Sequence, residues 1–182
     1  IVATFGDLMR VPGPGGANLK TAQADGARVE VVYSPMDALS LAAATPDSTV
    51  VFLGVGFETT APTVAATIKV AKEQGLTNFK VLPFHKLVPP ALDVLLADPD
   101  AHIDAFILPG HVSAIIGATP YAFVADKFHV PAVITGFEPV DILSALLDIV
   151  AMRREGRPAI HNTYTRVVSD AGNPVARAIM DE

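Results

Sequence analysis

The manner in which the apolar runs of this chain end limits what it can fold into. Runs at residues 1–5, 28–33, 49–55, 78–82, 105–108, 132–135 and 163–168 are short, rich in Val, Ile and Phe, and mostly continuous rather than alternating. Runs of that length and texture fit strands buried on both faces, as in a parallel sheet covered by helices. Between them lie helical patterns at residues 17–24, 36–44, 60–74, 90–97, 121–127 and 139–154. Alternation of strand and helix specifies right-handed βαβ units and a parallel sheet.

The expected fold class is therefore α/β: a Rossmann-like open parallel sheet with helices on both faces. Two helices are legible in detail. After Thr60 as N-cap, Ala61, Val64, Ala65, Ile68 and Ala71 form one apolar stripe, with Lys69, Lys72 and Glu73 outside it and Gly75 as the stop. After Glu138, Pro139 fits a first helical turn, and Ile142, Leu143, Leu146, Leu147 and Val150 are expected to face the core while Asp141, Ser144 and Asp148 face out. The Pro- and Gly-rich stretch at 11–16 reads as a loop and hinge, and Gly172-Asn173-Pro174 opens a last helix.

Polar residues gather where the strands end, which is where open parallel sheets bind ligands. Gly6-Asp7, Gly56-Phe57-Glu58, His85-Lys86, Gly110-His111 and Gly136-Phe137-Glu138 are expected to converge on one rim. Gly-Phe-Glu recurs 80 residues apart, but its flanks do not align well enough to argue duplication. Asp7 and Arg10 either position a metal or proton and clamp an anion, respectively, or pair locally across an exposed turn, which contributes only about 0–1 kcal/mol. Glu58, Thr59 and Thr60 form an anion cradle at a helix start, or Thr60 caps that helix while Glu58 complements its dipole. His85 and His111, on one rim with Asp7, Glu58 and Glu138, make a set of N and O ligands or proton carriers, although a lone histidine at a strand end is usually structural.

Composition closes several routes. Net charge is −6 and the 13 Lys and Arg residues form no patch or stripe, so nucleic-acid binding has no electrostatic footprint. No apolar run reaches the 18 or so residues of a membrane span. There is no cysteine, hence no disulfide, thiolate nucleophile or thiolate-held metal within these residues. No Walker loop, nucleophile elbow or dinucleotide fingerprint is present. At 182 residues the chain suits one generous domain, or one domain with part of another, and its opening on Ile1-Val2-Ala3-Thr4 reads as a piece of a longer protein.

Taken in order, TFGDLMRVPG, VVYSPMDAL, GFETTAPT, HKLVPPA, PGHVSAIIG, GFEPVDIL and RVVSDAGNP closely resemble the hydrogenase formation family HypD, along nearly the whole chain. The resemblance implies a cytoplasmic scaffold that, with a HypC-like chaperone and a HypE-like cyanide donor, assembles the Fe(CN)2CO centre of nickel–iron hydrogenases. It implies residues 1–16 as the end of a preceding α/β domain and hinge, 17–156 as a central Rossmann-like domain, and 157–182 as a segment returning toward another domain. Iron and a 4Fe-4S cluster are implied for the full-length family, whose cysteine motifs lie outside these residues. Carried over by position, the residues implicated are Asp7, Arg10, Glu58, Thr59, Thr60, His85, Lys86, His111 and Ser113, acting by hydrogen bonding, proton delivery or domain closure, with iron ligation by His111 the lesser role. The competing expectation is a self-contained α/β domain that binds a small molecule or anion. A hydrolase using Glu58 or His111 as base lacks any nucleophile or metal motif.

Overall fold

The computed structural model describes all 182 residues, Ile1–Glu182. It contains two parallel sheets where the sequence suggests one. The first has four strands in the order β2-β1-β3-β4, with β1 Val2–Thr4, β2 Val29–Val31, β3 Val50–Gly56 and β4 Phe79–His85. The second has three strands in the order β5-β6-β7, with β5 Phe106–Pro109, β6 Ala132–Thr135 and β7 Ile160–Asn162. All neighbouring pairs are parallel. The chain divides accordingly into two compact units, residues 1–56 with 60–85 and residues 57–59 with 86–182.

In the first unit the helices are α1 Leu19–Ala24, α2 Pro35–Ala44 and α3 Ala61–Glu73. Ser34 and Asp37 form a reciprocal capping box at the start of α2, with Pro35 fixing its first turn. The core gathers Ala3, Leu39, Val50, Phe52, Val64 and Phe79. Asn78 ties it together: its side-chain amide donates to the carbonyls of Ala42 (2.8 Å), Thr45 (3.1 Å) and Ser48 (3.0 Å), satisfying the C-terminal end of α2 and the loop beyond it.

In the second unit the helices are α4 Val88–Ala97, α5 Gly110–Ile116, α6 Ala122–Asp126, α7 Pro139–Glu155 and α8 Pro174–Asp181. Leu108, Tyr121, Val124, Ala132 and Ile134 form its main core, and Val133 packs with Ala145 and Met152 on the other face of the sheet.

Three expectations from periodicity are corrected. In α3, Thr67 rather than Ile68 is buried; its hydroxyl donates to the Thr63 carbonyl at 2.8 Å, which removes the penalty of placing it inside. In α7, Ala145 and Met152 face the sheet, whereas Leu143 and Leu147 are 61% and 72% exposed, and Val140, Leu146 and Val150 are also exposed. Ala145 permits the close approach that a leucine would prevent. Residues 163–168 are not a strand. Asn162 accepts from the Tyr164 N–H at 2.9 Å and donates to the Val168 carbonyl at 2.9 Å, bending the chain into a turn directly after β7.

Candidate functional site

The five strand ends singled out in the sequence fall on two sheets. Those of β1, β3 and β4 lie along the carboxyl edge of the first, and those of β5 and β6 along the carboxyl edge of the second.

On the first edge, β1 runs into a 3-10 turn at Gly6–Arg10, where Asp7 and Arg10 are both exposed. No ion pair joins them, so the local bridge expected from their spacing does not form. Gly56 and His85 are register partners at the ends of β3 and β4. Gly56 has φ 154°, and a Cβ there would overlap Thr60 Oγ1, so only glycine allows the sharp exit from β3 into α3. Thr60 occupies the N-cap position without a capping bond from its side chain, which overturns the simple capping role. His85 has its Nε2 buried with no protein partner, and burial pushes its pKa below the usual 6.5.

In the second unit, Glu58 is 3% exposed. Its Oε1 accepts the Val88 N–H at 2.7 Å, at the start of the ten-residue helix α4. It therefore serves the start of α4, a partner that the spacing alone did not indicate. A charge-assisted bond of this kind contributes about 1.5–3 kcal/mol, and a carboxylate at a helix N-terminus adds about 0.3–1 kcal/mol. Its second oxygen, Oε2, is buried and no protein group satisfies it. The charge of Glu58 is felt by Tyr121, which is fully buried; burial first, and Glu58 in addition, push the phenol up to about 12. Ser113, also fully buried, donates to the Pro109 carbonyl at 2.8 Å and lies 3.4 Å from the Tyr121 hydroxyl. Thr59 and Lys86 are exposed.

At the edge of the second sheet, β5 passes into α5 with no intervening loop: Pro109 ends the strand and Gly110 begins the helix. His111 is held on the first turn of α5, exposed, with its ring centroid 4.3 Å from that of Phe137. Thr135, the last residue of β6, is buried and its Oγ1 has no protein partner. Thus Ser113 meets Tyr121, whose phenol also feels the charge of Glu58, while His111 joins the Gly-Phe-Glu turn after β6. Asp7, Arg10, Thr60 and His85 belong to the other unit. Tyr121 and Thr135 escaped the sequence reading because each sits inside an apolar run, where hydroxyls carry no visible signal.

The whole chain, residues 1–182, matches the model of the HypD family, described as "Hydrogenase formation hypA family". The chain belongs to that family. Among curated relatives, the hydrogenase maturation factor HypD of Escherichia coli K12 is 50% identical over 182 residues, covering 100% of this chain and 48% of that protein. The hydrogenase maturation factor HypD of Rhodobacter capsulatus is 48% identical over 178 residues, covering 98% and 47%, and that of Rhizobium leguminosarum bv. viciae is 45% identical over 183 residues, covering 97% and 48%. The chain thus spans about half the length of the HypD relatives it matches. No helix is long and apolar enough to cross a membrane.

The donor set does not fit an iron–sulfur cluster. Such clusters need thiolates, and this HypD segment has no cysteine. No three or more His, Asp or Glu side chains gather closely enough to hold a metal ion.

Proposed function

We propose that this chain forms part of a scaffold on which the Fe(CN)2CO centre of nickel–iron hydrogenases is assembled, lining the cleft where iron, as cargo, receives its diatomic ligands. In this reading its side chains act on the ligands rather than on the metal. Membership of the hydrogenase formation family supports the maturation role. The observation that carries the chemical part is Glu58: a carboxylate buried at the start of α4 with one oxygen held by the Val88 N–H and the other without a protein partner. Leaving a buried acceptor without a partner costs about 1–3 kcal/mol, so an oxygen buried in that way calls for a functional account.

The residues divide the work by their donors and acceptors. Glu58 accepts a proton or an N–H donor, while Tyr121 remains a neutral phenol near neutral pH and donates. Lys86 and His111, both exposed, supply hydrogen bonds to the nitrogen end of a bound cyanide. On the other unit, Asp7, Arg10, Thr59's neighbour Thr60 and His85 serve partner contact and proton transfer. Thiolate ligation of the iron falls to parts of the full-length family protein beyond these residues, and a HypC-like chaperone and a HypE-like cyanide donor are the proposed partners.

A chimera tests this. The matching segment of the Escherichia coli relative is replaced by these 182 residues, and hydrogenase activity is measured in cells lacking their own factor. Restored activity that is lost at least tenfold with Glu58→Gln supports the reading. A chimera that accumulates normally yet restores nothing, or a fully active Glu58→Gln chimera, refutes it.

A further inference from the structure

One side chain that the proposed chemistry does not use touches the beginnings of both turns on the second sheet's edge. A Cβ on Gly110 would lie 2.8 Å from Tyr164 Cδ1, and a Cβ on Gly136 would lie 2.9 Å from Tyr164 Cε2. The phenol ring is thus wedged against the residue that starts α5 and the residue that follows β6. Neither glycine can become alanine without moving it.

Tyr164 is in turn held on two sides. Its N–H donates to Asn162 Oδ1 at 2.9 Å, and the guanidinium of Arg166 lies over its ring, 4.5 Å from the centroid. The same guanidinium grips Asp141 with two bonds, Nη1 to Oδ1 at 3.0 Å and Nη2 to Oδ2 at 2.6 Å. Asp141 stands in the first turn of α7, and its Oδ2 occupies the space that a Cβ on Gly136 would need. Arg166 also approaches Glu138 Oε2 at 3.6 Å. One planar cation therefore fixes the ring below the turn and the carboxylate beside it, and this turn carries Phe137, on which His111 rests.

Surface ion pairs contribute little unless their geometry is close to ideal; this one is forked, with the Asp141 side chain only 11% exposed, so it holds the turn in one arrangement. We infer that Arg166 is a positioning residue: by gripping Asp141 and covering Tyr164 it sets the Gly136-Phe137-Glu138 turn, and through Phe137 the orientation of His111. Forked bonding and ring stacking both require a guanidinium, so lysine cannot replace it. The inference rests on the reading above only where it concerns the use made of His111.

The test pairs a spectroscopic readout with a functional one, on Arg166→Ala and Arg166→Lys, with Phe137→Leu as reference. In this chain, contacts between the His111 and Phe137 rings are followed by NMR through their nuclear Overhauser effects and the ring-current shift of the His111 protons, alongside the melting temperature. In the chimera, hydrogenase activity is measured. Loss of the ring contacts in both Arg166 variants, with a melting temperature within a few degrees of wild type and activity reduced at least fivefold, supports the inference. Contacts that persist in either variant overturn it, as does a full return of them with lysine. Loss of the contacts with activity intact upholds the positioning role and instead removes His111 from the proposed chemistry. Should Arg166→Ala fail to fold, Arg166→Lys, which keeps the charge, decides alone.

Discussion

Replacing Tyr121 with phenylalanine deletes one hydroxyl from the centre of the second unit, and its effect should change sign with pH. In the folded chain the phenol is pushed from 10 up to about 12, chiefly by burial. For an acid whose folded pKa is raised, the stabilisation is complete below the unfolded value of 10 and is lost as pH climbs from 10 towards 12. At about 1.4 kcal/mol per unit, the wild type loses roughly 2–3 kcal/mol over that window through this group alone. The variant has nothing to titrate there. At pH 8 its penalty is small, because the contact to Ser113 is a long 3.4 Å and Ser113 keeps its 2.8 Å bond to the Pro109 carbonyl; a marginal hydrogen bond of this sort contributes less than about 1 kcal/mol. Urea unfolding followed by far-UV circular dichroism at several values between pH 8 and pH 12 should show the wild type ahead at first and the variant ahead at the end. Other titrating groups cancel in the difference between the two proteins. Stability curves that run parallel across the whole range would refute the claim that the fold holds Tyr121 neutral.

Four other substitutions probe separate links. Burial lowers the His85 pKa, so the unfolded chain takes up a proton first as pH falls below 6.5; wild type should lose stability below that value, and His85→Gln should flatten the acid limb in denaturant titrations at pH 7.5 and 5.5. Gly110→Ala drives a Cβ into the Thr135 carbonyl and the Tyr164 ring, an overpacking expected to cost about 1–3 kcal/mol; an unchanged melting temperature would contradict it. Asn78→Ala leaves three carbonyls of the first unit without their shared donor and should cost about 1–3 kcal/mol in equilibrium unfolding. Asp141→Asn removes a carboxylate whose pKa the Arg166 bond holds below the usual 3.8; the wild type loses that contribution as pH falls below 3.8, and the variant should show a correspondingly shallower acid transition near that pH.

Much of this architecture can be read from the chain because a strand buried on both faces must be apolar throughout. The expected run at 132–135 coincides with β6, Ala132–Thr135, every residue of which is buried. Helix faces were harder to read. In α7 the large residues Leu143 and Leu147 imitate a core stripe, but the packed side is set by Ala145, whose small side chain lets the helix lie close to the sheet. Helix α5 was missed because Pro109-Gly110 resembles a loop, whereas here the strand turns directly into the helix. The division into two sheets was also hidden, since βαβ rules relate neighbouring strands and carry no information on where a sheet stops. The motif residues themselves stood out, yet the groups that connect them did not. Tyr121 meets Ser113 and feels the charge of Glu58, and Tyr164 braces Gly110 and Gly136; both are aromatic residues that any core would accept.

The outward face of α7 has a practical consequence for handling this chain. Val140, Leu143, Leu147 and Val150, at 72%, 61%, 72% and 45% exposure, recur at intervals of three and four and so line one side of a seventeen-residue helix. Dyes that fluoresce on apolar surface, the usual reporters of loosely packed states, should light up on the properly folded chain. A bright signal would then describe this ridge and not a loosened interior. Near-ultraviolet dichroism or dispersed amide resonances are the sounder gauge of its packing, and Leu143→Glu with Leu147→Lys should quench the dye while leaving both intact.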